Sequence, residues 1–254
     1  MSDRKTHITS SFERNLPEDF VLGDDAAHQR LFREYGAVFV ARGGVTPPNR
    51  VVFADEDEVR AFQSRLDIAE SRIGDFDLEL QSAAMASLRK AIAEVAESGL
   101  TITPRGQDSA RRNYDDTIAL WKSRVEPALI HWVEQDRLTT EQASEIRALT
   151  PYEQVAKVFA LEESGIYFAK DLSKSIIYSV APPGASQHLS LLAFDVAEFE
   201  EKRVRRILAR NYWYQTVTSD LPHFTFLGVE ESELPELGLR MVRSCEREFW
   251  VPDI

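Results

Sequence analysis

The chain has 254 residues, 43% hydrophobic and 28% charged, with a formal net charge of -12 and a pI of about 5.0. The length suffices for one large domain with its own core, and the acidic surplus argues against nucleic-acid binding, which requires a basic face. One cysteine, Cys245, excludes a disulfide framework and a cysteine-based zinc site, and no run approaches the roughly 18 apolar residues of a membrane span.

Residues 1 to about 30 are polar and read as a loose arm, with no apolar leader segment at the start. "AVFVAR" (37–42) and "RVVFA" (50–54) read as strands separated by the turn chemistry of "GGVTPPN". Residues 55–73 begin acidic and carry Val59, Phe62 and Leu66 at helical spacing. Residues 78–99 make a stronger helix, with the stripe Leu80, Ala84, Leu88 and Ile92 and with Gly99 placed to end it. "LTIT" (100–103) reads as a short strand and "PRGQDS" as a loop. Residues 110–135 read as a helix bent or broken near Pro127. Residues 139–149 open with a capping box, Thr139 and Gln142, and 151–164 with Pro151 at the first helical position.

The last hundred residues change character. "SIIYSV" (175–180), "LSLLAFDV" (189–196), "YWYQTV" (212–217) and "FTFLG" (224–228) read as strands, with one helix at 197–211. Helices mostly first and a small, largely antiparallel sheet late give an α+β fold.

The chemistry-bearing residues gather in this late region. His188 and Asp195 bracket the run "HLSLLAFD". Their spacing puts them on opposite faces of a regular strand, so they meet only if His188 lies in the loop before it or a bulge intervenes. Downstream, "SDLPHFTFLG" places Asp220 and His223 three apart between two strand-like runs. His188, Asp195 and His223 would form a set of two imidazoles and one carboxylate, the N/O ligands of a catalytic zinc. Asp220 would then be a base that is not a ligand. The alternative is that Asp220 caps a turn and His223 is a satisfied strand histidine.

The combination resembles a known family. "SQHLSLLAFD" is similar to the Ser-x-His-x-x-Gly-x-Ala-x-Asp signature of the zinc D-Ala-D-Ala carboxypeptidases, the group that includes the VanY-type enzymes and several phage endolysins. Ser186, His188, Ala193 and Asp195 fall on its positions, and "DLPH" resembles the family's Glu-x-x-His. The resemblance spans about residues 78–228. It implies one Zn²⁺ held by His188, Asp195 and His223, with Asp220 as the base and Ser186 helping to position substrate or the first ligand. Arg105, after helix and strand, falls where the family binds the substrate's carboxylate; read alone it is an exposed loop residue. The implied fold is the small antiparallel sheet with flanking helices of that family. Residues 1–77 would be an extension (arm, two short strands, helix) packed on a catalytic domain at 78–254.

The implied activity is hydrolysis of the terminal peptide bond of a peptidoglycan stem peptide or D-Ala-D-Ala dipeptide by water activated at the metal. A peptidoglycan endopeptidase and a non-catalytic wall-binding domain are the rival readings. Such a substrate implies an extracytoplasmic site of action, in the periplasm or cell wall, if a leader has been removed, and otherwise the expectation is a cytoplasmic one. The sequence departs from the pattern at three places. Leu191 replaces the usual Gly, Asp220 the commoner Glu, and Ala110 stands where a Gln often follows the arginine. Among the remaining candidates, Trp213 is expected beside the substrate, and Tyr114, Trp121, Trp132 and Tyr214 in the core. His7, His28 and His131 are read as structural or solvated, and 200–206 as a solvated helix face.

Overall fold

In the computed structural model, which describes residues 10–244 and 246–254, every strand pair within a sheet is antiparallel and eight α-helices surround three small sheets. The α+β class expected from sequence holds. His7 and Cys245 lie outside the described residues.

Short α1 (Ser11–Arg14) and α2 (Ala26–Tyr35) open the fold. The loose arm was therefore drawn too long: Asp25 caps α2, and Ala27, Leu31, Phe32 and Tyr35 bury one face of it. The two strands expected next are absent. Residues 36–40 form a fully buried 3-10 turn, and 50–54 run irregularly, tied by Phe53 N–H to the Gly184 carbonyl. Five apolar residues in a row carry no alternation, so periodicity could not separate strand from buried turn.

The helix expected over 55–73 is shorter. Helix α3 ends at Gln63 (Glu56–Gln63), and Ile68–Ile73 (β1) pairs with Phe76–Gln81 (β2). The two-residue turn Gly74-Asp75 joins them, with Gly74 at φ +59°, the positive value that tight hairpin turns require. A boundary at 77/78 would pass through this hairpin. One hydrophobic cluster also joins Phe12, Leu31 and Val40 to Leu88, Phe194 and Leu208.

Helix α4 (Ser82–Ala96) follows directly, and 100–103 is irregular rather than a strand. Helix α5 (Tyr114–Glu134) starts at an Asn113–Asp116 capping box and continues unbroken through Pro127. Helices α6 (Thr140–Ala148) and α7 (Pro151–Glu163) start as the capping box and Pro151 indicate.

Residues 176–178 form a 3-10 turn in place of the expected strand. The central sheet has the order β3 (Ala193–Asp195), β5 (His223–Phe226), β4 (Trp213–Tyr214), with α8 (Lys202–Arg210) between β3 and β4 in the chain. The chain closes with a hairpin that sequence reading missed, β6 (Leu239–Ser244) and β7 (Arg247–Pro252).

Candidate metal centre

The stretch "SQHLSLLAFDV" is two structures in one. Residues 187–190 form a buried 3-10 turn, Leu191 reverses the chain at φ +57°, and only 193–195 are strand. The parity conflict between His188 and Asp195 disappears because His188 precedes the strand. Leu191 stands in the left-handed region that favours glycine, the residue that the resembled signature has at this place. Its own side chain is fully buried.

Asp195 ends β3 and is the direct cross-strand partner of His223, the first residue of β5. Opposed residues on neighbouring antiparallel strands share a face at close range. The 3-10 turn brings in the third side chain, so one potential ligand atom from each of His188, Asp195 and His223 lies within 4.8 Å of the others. Asp195 Oδ1 is 3.3 Å from His188 Nε2 and 3.1 Å from His223 Nδ1. Tetrahedral donors at about 2.05 Å from a zinc ion stand about 3.3 Å apart.

The hydrogen bonds behind the imidazoles decide what these contacts are. His188 Nδ1 lies 2.9 Å from the Ala110 carbonyl, which can only accept, so Nδ1 carries the proton. His223 Nε2 lies 2.9 Å from Gln187 Oε1. The Gln187 amide cannot be turned round, because its Nε2 donates to the Tyr35 carbonyl and its Oε1 accepts from Thr225 Oγ1. His223 therefore donates from Nε2. Burial holds the His188 pKa below its ordinary value, and the Arg112 charge acts the same way, outweighing the pull of Asp195. For neutral imidazoles, both remaining nitrogens present lone pairs to one carboxylate oxygen. Only as protonated donors could His188 and His223 outweigh burial and hold the Asp195 carboxyl well below the usual range. Lone pair against lone pair is repulsive unless a cation lies between. Two imidazoles and a carboxylate fit zinc and leave a fourth position open.

The loop at 105–112 frames the centre. Asp195 N–H donates to the Ser109 carbonyl at 2.9 Å, Arg105 N–H to the Asp195 carbonyl at 3.2 Å, and Arg112 N–H to the His188 carbonyl at 3.4 Å. Gln63 and Gln81 brace the turn from the other side, donating to the Leu189 and Ser190 carbonyls. Arg112, Gln187 and these two glutamines were not singled out in the sequence. For Gln187 the available signal was its place between Ser186 and His188.

The three side chains open into a cleft of about 390 Å³ that Arg105, Arg112, Ser186 and Asp220 also line. The Asp220 carboxylate makes no hydrogen bond or ion pair among the described residues. Although the residue reaches solvent, the protein packed around it raises its pKa, and Asp195 adds to the rise against His223, His188 and Arg112. Arg105 is exposed, its guanidinium carbon 6.0 Å from the Phe199 ring centroid, with no side-chain hydrogen bond among the described residues.

Trp213 corrects the sequence reading. It is fully buried between Phe194 and Phe226 and does not line the cleft, because inward packing of β4 takes it into the core. Trp121 and Trp132 are satisfied by Gln154 and the Tyr167 carbonyl, and Tyr214 by the Val229 carbonyl. His28 has an acidic partner after all, Asp25 at 2.8 Å.

No family model and no curated protein sequence matches the chain. Among solved structures, a zinc complex of the vancomycin-resistance D,D-pentapeptidase VanY, from a VanB-type resistance cassette, aligns with 65% of this chain and 82% of its own. The identity is 14% and the TM-score 0.37. No helix among the described residues is long and apolar enough to cross a membrane.

Proposed function

We propose that the chain is a zinc-dependent hydrolase of the D-Ala-D-Ala carboxypeptidase type, acting on the terminal peptide bond of peptidoglycan stem peptides. The observation that carries the reading is the pair of imidazole nitrogens turned, by fixed hydrogen bonds, toward one oxygen of Asp195. The signature resemblance of "SQHLSLLAFD" and "DLPH" supplies the substrate class. Zinc in this donor set would polarise the scissile carbonyl and lower the pKa of water toward neutrality.

The remaining work falls to side chains lining the cleft. Asp220 accepts the proton of the attacking water and returns it to the leaving amine, a role for which a free carboxylate with a raised pKa is suited. Arg105 holds the substrate's terminal carboxylate, since its fork is unengaged and can form two parallel hydrogen bonds. Ser186 lines the same cleft and offers a hydroxyl to the peptide. Action on peptidoglycan would place the protein outside the cytoplasm.

The test is release of D-Ala from a stem pentapeptide by the zinc-loaded protein, with and without a chelator. Chelator-sensitive release is expected. No release from any D-Ala-D-Ala peptide by protein that demonstrably holds zinc would overturn the substrate assignment.

A further inference from the structure

We infer that Arg112 is a positioning residue for the metal centre: it holds Asp195 to one-oxygen ligation and so keeps a coordination position open. The inference rests on the metal-centre reading proposed above. It is carried by how the two oxygens of Asp195 are divided. Oδ1 is shared by the two imidazole nitrogens, and Oδ2 is taken by Arg112 Nη2 at 3.2 Å. A carboxylate beside a cation can give one oxygen or both. Giving both would use up a position that hydrolysis needs. With its second oxygen engaged by a guanidinium, Asp195 can offer only Oδ1.

Arg112 is also fixed at both of its ends. Its N–H donates to the His188 carbonyl, and its own carbonyl accepts from Gln63, the residue that also bonds the Leu189 carbonyl. Its Nη2 has a second carboxylate, Asp108 Oδ2, at 3.5 Å. Both Arg112 and Asp195 are largely shielded, with 15% and 13% of their side chains exposed, so solvent screens the pair weakly. The buried Arg112 Nε–H meanwhile finds no acceptor among the described residues. The guanidinium's ion-pair contacts run through Nη2, the nearer of them to Asp195. The same commitment separates Arg112 from Arg105. Both line the cleft, but only Arg105 is free for an incoming carboxylate.

The test uses Arg112→Gln in the full-length chain, loaded with Co²⁺ as a spectroscopic stand-in and separately with Zn²⁺. Losing the guanidinium should free Oδ2 to join the first oxygen. The intense visible band of four-coordinate cobalt should then weaken, as it does at higher coordination number. The zinc dissociation constant should rise about 10- to 100-fold, the usual cost of losing an outer partner of a ligand. Arg112→Lys, which keeps a cation near Oδ2, should recover part of both. If the glutamine variant does not fold, Arg112→Met keeps the apolar stem and carries the same expectation. A cobalt spectrum and zinc affinity unchanged in the variants would overturn the positioning role alone. A parent protein that binds neither cobalt nor zinc would overturn the metal-centre reading itself.

Discussion

Asp195 Oδ1 faces a nitrogen of His188 on one side and of His223 on the other, and both rings are turned by backbone and amide acceptors behind them. The candidate ligands were legible because their types and spacings are unusual together. The acceptors were not, since a carbonyl such as that of Ala110 leaves no mark on the sequence. Asp220→Asn should retain zinc and fold while losing roughly 10²-fold or more in turnover, the usual scale of general acid–base help. Equal turnover by the variant, measured as D-Ala release, would remove Asp220 from the reaction. Arg105→Ala should weaken turnover of free-acid peptides with zinc content unchanged, and Arg105→Lys should restore it incompletely. Parent protein that cleaves free-acid and C-terminally amidated peptides equally well would show that no carboxylate clamp operates.

At the scale of elements, capping signals located helix starts well: Thr139–Gln142 and Pro151 both lie where the chain turns into helix. Runs of apolar residues located strands poorly. Residues 36–40 are buried throughout, and so are Ile176 and Ile177, so nothing in their pattern distinguishes a 3-10 turn from a strand. The hairpin at 68–81 did carry a signal, Gly74-Asp75 between runs with strand-like content, but acidic helix starts and a helical stripe on either side obscured it.

The start of α2 offers a test of its own. Asp25 accepts from His28 N–H and from the Tyr152 hydroxyl of α7, linking two helices. Burial opposes its ionisation, but these partners prevail and lower its pKa from 3.8 to about 2. A depressed carboxylate binds fewer protons folded than unfolded. Its contribution is therefore complete above pH 3.8 and lost as the pH falls toward 2. Urea midpoints measured between pH 5 and 2 should fall less steeply through that window for Asp25→Asn than for the parent. Parallel curves would show that the cap carries no pH-linked stability.

On the scale of the whole molecule, the candidate metal centre is held by parts far apart in the chain. Gln63 and Gln81 support the turn that bears His188, the 105–112 loop supplies its carbonyls, and Tyr35 fixes Gln187. Position 77 falls within a hairpin, and residues on both sides of it share one core. Metal binding should therefore stabilise the chain as a unit. At a free zinc concentration about 100 times the dissociation constant, mass action adds about 2.7 kcal/mol. That corresponds to a rise of roughly 5–10 °C in Tm for a chain of this size. The most direct measurement is the zinc content of the parent and of His188→Ala after equilibration with zinc and removal of the excess. Close to one zinc per chain is expected in the parent and little in the variant. A parent that retains none, or a variant that retains as much as the parent, would contradict the metal-centre reading.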